Sequence, residues 1–464
     1  MKKLLRILLV VVVLVCVFLV GAVLFINHRL QSPETQRLVI SAAQDAIGAK
    51  VQINELSISL FRGIRLRGVT VANPQGFDGA LLTADEFVLR YNLLPLLRRR
   101  LEIETMALRK PVVRLVRNEK GQWNYEQLGA KAAPEAVPGE SVQPEPAASG
   151  PSSPVKESSA APSVSAPGLD ITLSRLAVEQ GEIVMIGEKG KELVRIQNLT
   201  VQSRLQTTGA KLEGEGRAKV EILSVANAVF ARNLAAPIKI LTERITLTPV
   251  SGTLAGGAIG GEITLRLSGG FQYGVNVKLK DADMAKLLQE ARAKPTFSGK
   301  LQAESVLTGT GGLPTINGSG RLEIHDGMLA GVPVLETLAA LLRINELRNL
   351  RFTECRMEFS MADNKMPTPV IRLVSPQVQI TGKGVVSLAD YSLNHDVTLA
   401  VAPDLLAKVP GEIRGIFQKQ PDGFLAISFK VTGPYDAPKN DIAETLLKGA
   451  AQNLLQKGLQ KLFR

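Results

Sequence analysis

Aromatic residues make up only 4% of this 464-residue chain, with one tryptophan, three histidines and two cysteines. Two cysteines cannot build a disulfide framework. With so few histidines and no Cys-x-x-Cys, a zinc site of the usual kind is not expected. Gly-x-Ser-x-Gly, a phosphate-binding loop ending in Gly-Lys-Ser/Thr, and His-Glu-x-x-His do not occur. Thr308-Gly309-Thr310-Gly311-Gly312 is glycine-rich but lacks the lysine and the strand–loop–helix setting, so it reads as a hairpin loop. Glu102 and Glu104 share a strand face that reads as solvated. His28, His325 and His395 lie far apart. His395, between Leu393 and Val397, reads as a satisfied core histidine, and His325-Asp326 as a turn before Gly327. The expectation is a protein that is not an enzyme, with no catalytic residues, cofactor or metal. Basic residues are dispersed, which argues against nucleic acid.

What is present is aliphatic. Hydrophobic residues reach 45% and charged residues 21%, which is ample for a core and excludes disorder of the whole chain. The net charge of +12 suits an anionic surface without specifying one. Ile7 to Ile26 is a run of twenty uncharged residues, about 30 Å as a helix, the thickness of a bilayer's hydrocarbon. Lys2, Lys3 and Arg6 precede it, which places the N-terminus in the cytoplasm and the chain after Asn27 on the far side. The competing reading, a cleaved signal peptide, meets a long apolar run and no small-x-small site at Phe25-Ile26-Asn27-His28-Arg29. Cys16 falls within the anchor, so Cys355 stands alone and reads as a buried apolar residue.

After the anchor, Glu34 to Ile47 reads as an amphipathic helix stopped by Gly48. From Val51 the period becomes two, with turns expected at Gly63, Gly68 and Asn73-Pro74 and strands continuing through Phe87–Arg90, Leu101–Met106 and Pro111–Val116. Leu93–Leu97 is an apolar elbow followed by Arg98-Arg99-Arg100, a solvated turn or a contact for anionic headgroups. Residues 130–168 hold eight prolines and no aromatic, the composition of a disordered linker or insertion.

From Leu169 a strand grammar repeats. Leu212 to Ile222, Ile316 to Ile324, Val378 to Leu388 and Leu425 to Gly433 each alternate apolar or glycine positions with polar ones. That is the pattern of an antiparallel sheet with one face in water. Paired glycines on the apolar side let something approach the backbone, or let the sheet bend. Helices are expected at Asp281–Lys294, Pro333–Leu347 and Asp441–Phe463. The last has an apolar stripe from Ile442 to Leu462 and basic Lys448, Lys457, Lys461 and Arg464, suiting either a lid on the sheet or a membrane-surface contact. The fold class is therefore mainly β: a transmembrane helix, a long curved, mostly antiparallel sheet, a few amphipathic helices and a closing helix. The divisions are 1–28 anchor, 29–129 N-terminal β domain, 130–168 linker, 169–438 β-groove domain and 439–464 closing helix. So few helices leave the apolar face short of cover. Either the sheet closes on itself, or it forms a trough lined by aliphatic side chains and filled by hydrocarbon.

The stretch Tyr91-Asn92-Leu93-Leu94-Pro95-Leu96-Leu97-Arg98-Arg99-Arg100-Leu101-Glu102-Ile103, with Pro111–Leu115 and Gly121-Gln122-Trp123-Asn124-Tyr125, resembles the N-terminal signature of the AsmA family. Gly318-Ser319-Gly320, His325-Asp326-Gly327, Gly382-Lys383-Gly384 and Thr432-Gly433-Pro434-Tyr435 are similar to its C-terminal part. The resemblance implies a bacterial inner-membrane protein, its bulk in the periplasm. It would have a chorein-like N-terminal end and carry phospholipid along a β-groove in support of the outer membrane. Twenty strands at about 4.8 Å give a groove of about 90–100 Å. The candidate groove lining is Leu322, Ile324, Val378, Ile380, Val386, Leu388, Ile427, Phe429 and Val431. Candidates for the headgroup or membrane surface are Arg98, Arg99, Arg100, Lys457 and Lys461. The alternative is a non-enzymatic assembly factor that binds envelope proteins, including outer-membrane β-barrel precursors, by strand addition.

Overall fold

The computed structural model describes residues 32–59, 63–92, 95, 100–127, 170–208, 211–268, 272–310, 315–407, 409, 411–435 and 437–462. The expected anchor at 7–26, Arg98, Arg99 and the proline-rich 130–168 lie outside the described residues, and among the described residues no helix is long and apolar enough to cross a membrane. The chain is mainly β, with strands pairing antiparallel almost throughout. It forms two compact units: Met1–Glu179 with Met185–Gly190 and Leu205–Ala210, and Gln180–Val184 with Lys191–Arg204 and Lys211–Arg464.

The first unit begins with α1 (Pro33–Ile47). Gly48 ends it at φ 71°, its N–H donating to Gln44 O at 2.8 Å, a left-handed stop that a side chain would oppose. Strands β1 (Val51–Ser59), β2 (Gly63–Ala72), β3 (Ala80–Asn92) and β4 (Arg100–Arg109) pair in sequence, and β5 (Val112–Val116) pairs with the start of β3. Gly68 is not a turn as expected. It lies inside β2 at φ 60°, with the Asn54 side chain in the space a Cβ would need. Strands β6 (Asp170–Leu173) and β7 (Arg175–Ile186) then lie parallel to β4. A parallel pair requires a crossover of a dozen or more residues. The connection from β4 to β6 meets that requirement, running through β5 and on to residue 170.

The second unit is a meander. Strands β8 (Glu192–Thr208, whose last residues count with the first unit), β9 (Lys211–Val225), β10 (Val229–Leu241), β11 (Arg244–Leu254) and β12 (Gly257–Arg266) lead to β13 (Gln272–Asp283) and β14 (Phe297–Thr310). Then follow β15 (Asn317–Ala330), β16 (Asn349–Met361), β17 (Lys365–Val374), β18 (Val378–Ser387) and β19 (Ser392–Val401). From β9 to β19 each strand pairs antiparallel with the next, and β19 pairs with β21 (Leu425–Pro434). The short β20 (Gln418–Lys419) and β22 (Lys439–Asn440) flank β21.

Helices gather at one end of this meander, in the longer connections: α2 (Met284–Glu290), α3 (Pro333–Leu342), α4 (Pro403–Leu406) and α5 (Gly411–Arg414), joined by α6 (Ile442–Leu462). The helix expected over Pro333–Leu347 breaks at Arg343, which is left-handed at φ 59°, and resumes as a short 3-10 turn over Asn345–Arg348. Leu342 and Ile344 would stand about 200° apart on a continuous helix. The break lets Leu338, Leu342, Ile344 and Leu347 all be buried. These residues share one core with Leu405, Leu406, Phe417, Ile442 and Leu446 and with the sheet residues Ile324, Leu373, Val378, Leu399 and Ile427.

Candidate functional site

Alternation along the strands, combined with the register, sorts the second unit's apolar side chains into rows. A row close to the helices runs Leu301, Ile324, Cys355, Leu373, Ile380, Leu399, Ile427. All but Ile380 are buried. The next runs Ala303, Leu322, Met357, Ile371, Gly382, Val397, Phe429, mostly half-buried. Further from the helices, Val275 pairs with Leu307, and Met366, Val386, Leu393 and Gly433 follow one another. Val275, Leu307, Met366, Val386 and Leu393 are only half-buried and, among the described residues, stand outside the helix-sealed core. One face thus grades from sealed to partly open along its strands.

This grading redistributes the expected lining. Ile324, Val378, Ile427 and Phe429 are 7% exposed or less and belong to the sealed core, so they offer no free surface. Periodicity found their face, but the helices from the long connections decide their cover. Leu322, Ile380 and Val431 pack at the core's margin, half-buried. Val386 lies in the open part. Leu388 sits half-buried in the turn after β18, its N–H donating to Asn364 O at 2.7 Å. Arg100 begins β4, Lys457 and Lys461 lie along α6, and Arg98 and Arg99 are outside the described residues.

The first unit has an apolar face that the expected lining did not include. Leu66, Phe87 and Leu108 align across β2, β3 and β4, as do Ile64, Leu89 and Met106, all half-buried. Their signal was legible in Ile64-Arg65-Leu66-Arg67 and Met106-Ala107-Leu108-Arg109. The opposite face carries charge in balance. Glu86, 8% exposed, meets Arg109 Nη1 at 2.5 Å and Arg65 Nε at 3.1 Å, with Arg67 Nε at 3.8 Å. Arg67 also pairs with Glu55, and Arg109 with Glu179. These arginines are therefore engaged by carboxylates and are not a free anion site.

The paired glycines have a local explanation. A Cβ on Gly320 would meet the Phe359 ring at 2.5 Å, and one on Gly384 would meet the His395 ring at 2.6 Å. Rings from the adjacent strand lie over these glycines and fill the space expected for something else. His395 reaches across Gly384 to Thr368, with Nε2 2.7 Å from Oγ1, and Thr368 Oγ1 also donates to Gly384 O at 3.2 Å. Burial pushes the imidazole below its ordinary value, opposed by the charge of Asp396. His325-Asp326 is not a turn: it lies within β15, where Asp326 at φ 50° forms a register shift opposite Gly299. Cys355 is a buried free thiol, pushed up to about 11 by desolvation and then by the Glu354 charge.

The Gly-x-Trp-Asn segment is a structural tie. Asn124, fully buried, accepts from Val116 N–H at 3.1 Å and donates to Arg114 O at 2.7 Å and Asn73 Oδ1 at 2.8 Å. Trp123 is 4% exposed and stacks on Tyr125. At the far edge of the second unit, β20 and β22 pair with both ends of β21, and Asp441 Oδ1 takes the Lys430 N–H at 2.7 Å. This edge is largely closed to strand addition. On the wet face, a depression of 60 Å³ among Lys278, Lys280, Glu304, Arg321 and Glu323 is far smaller than the roughly 300 Å³ of a small-molecule site.

These features define a mainly β protein with extended apolar sheet faces. The sequence pattern of the AsmA family matches residues 1–240, more than half of the chain, and the chain belongs to that family. The match includes the Gly-x-Trp-Asn segment and ends before the helix-capped part of the second unit. No curated protein matches the chain, and no solved structure does.

Proposed function

We propose that this chain is a membrane-tethered carrier of phospholipid in a bacterial envelope. Residues 7–26 anchor it in the inner membrane, and the β units work in the periplasm. Acyl chains lie on the partly open apolar faces, and no chemical step is involved. The observation that carries this reading is the band of half-buried Val275, Leu307, Met366, Val386 and Leu393 beyond the sealed core. Apolar burial is worth about 0.8 kcal/mol per sheltered methylene and selects hydrocarbon without selecting a headgroup. Many near-equivalent positions along a sheet let a chain shift without a large barrier. Family membership supports the same reading. The assembly-factor alternative relies on strand addition, and the protected edge of β21 argues against it there.

A photoreactive residue at position 386, activated in intact cells, tests the proposal. Phospholipid adducts are expected. Protein adducts without lipid would favour the assembly role and contradict the carrier.

A further inference from the structure

The apolar columns of β19 and β21 end in two tyrosines. Leu393 pairs with Gly433 and Ser392 with Pro434; immediately beyond them stand Tyr391 and Tyr435. Their rings meet edge to face, with centroids 6.2 Å apart and an interplanar angle of 71°. The Tyr435 N–H donates to Tyr391 O at 3.1 Å, which ties the two turns together. Tyr391 holds φ 58°, a conformation uncommon for a bulky side chain. The rings are 45% and 66% exposed, whereas Tyr91, Tyr125, Tyr273 and Trp123 are half-buried or buried. This is the exposed tyrosine pair among the described residues, and it stands just beyond the Leu393 end of β19 and the Gly433 end of β21.

A cation already occupies the corner. Lys191 Nζ lies 5.6 Å from the Tyr391 ring centroid, within the range at which a ring's negative face attracts an ammonium. Lys191 immediately precedes β8, and Tyr391 immediately precedes β19, so residues distant in chain order meet at this corner. The lysine shows what the corner accepts: a primary ammonium at the end of a flexible aliphatic stem. A lipid with an ethanolamine headgroup carries the same group at the end of its own stem. With that group on the tyrosines, its chains would run back over Leu393, Val386 and Val431.

We propose that Tyr391 and Tyr435 form a subsite for the primary ammonium of an aminophospholipid, and that Lys191 fills it when no lipid is bound. The proposal rests on the acyl-chain reading of the apolar face and adds headgroup preference to it. Lys191 is then a built-in competitor, lowering apparent affinity by the fraction of time it holds the corner.

The test uses the full chain, extracted in mild detergent and incubated with vesicles of equal phosphatidylethanolamine and phosphatidylglycerol, with bound lipid read by native mass spectrometry. The wild type is expected to enrich phosphatidylethanolamine by about two- to fivefold. Tyr391→Ala with Tyr435→Ala is expected to abolish the enrichment while total bound lipid stays constant. Tyr391→Phe with Tyr435→Phe should retain it, because the ring faces remain. Lys191→Gln should increase it. Soluble phosphoethanolamine, which lacks chains, should leave the bound lipid in place. Equal capture of both lipids by the wild type, or unchanged enrichment in the alanine variant, would overturn the subsite while leaving the acyl-chain reading standing. Displacement by the soluble headgroup would overturn a lipid as the occupant. Capture of neither lipid by the wild type would overturn the acyl-chain reading, and the subsite with it.

Discussion

Cys355 and His395 lie two rows apart on the same face and report on its burial in different ways. Desolvation holds the Cys355 thiol up at about 11, so at neutral pH it is neither ionised nor accessible. In a Cys16→Ser chain, folded Cys355 should therefore resist a maleimide that labels it rapidly in denaturant, and equal labelling rates would show that this row is open. His395 is held below its ordinary value by burial. Above about pH 6.5 both folded and unfolded forms are neutral and the residue adds no pH dependence. As pH falls below that point, the unfolded chain takes up the proton while the folded chain resists it, so stability declines through the folded value. Urea midpoints should drop more between pH 7.5 and 5.5 in the wild type than in His395→Gln. Identical slopes would show that the imidazole is hydrated in the folded state.

At the scale of elements, α6 separates two roles that its sequence allows. Ile442 and Leu446 are 0% and 4% exposed in the sheet's core, while Leu447 is 73% exposed. Leu446→Ala should cost about 2–5 kcal/mol in urea unfolding, and Leu447→Ala no more than about 0.5 kcal/mol. Equal small effects would mean that the helix does not cover the sheet. The start of α6 is thus a lid. The strands were legible because one face is wet, and wetness imposes alternation on residues such as Glu213 to Ile222 and Leu425 to Gly433. The break at Arg343 was not legible: Leu338, Leu342, Ile344 and Leu347 satisfy an apolar stripe only loosely, and a distant sheet decides which of them are buried. The pattern reads Gly68 and Asp326 as turns because a positive φ inside a strand carries the same residue types as a turn. The parallel pairing of β4 with β6 and β7 joins strands far apart in the chain, and no local pattern announces it.

For the whole molecule, the central question is how much apolar face the chain covers for itself. The alternation identified the face, yet four of the nine expected lining residues are sealed by helices whose docking is a tertiary event. The open part lies further along the same strands, at Leu307, Met366, Val386 and Leu393, and on the first unit at Leu66, Phe87 and Leu108. Substitution there is informative where substitution of a sealed residue is not: Ile427→Asp would bury an unpaired charge and unfold the unit, whereas an aspartate at a half-buried position can reach water. The most direct measurement is the lipid content of gently extracted full-length protein, by mass spectrometry, for the wild type and for Leu307→Asp with Val386→Asp. Co-purified phospholipid is expected in the wild type and should fall by at least half in the double variant, with circular dichroism unchanged. A wild type free of lipid, or a variant carrying the same amount, would contradict the account.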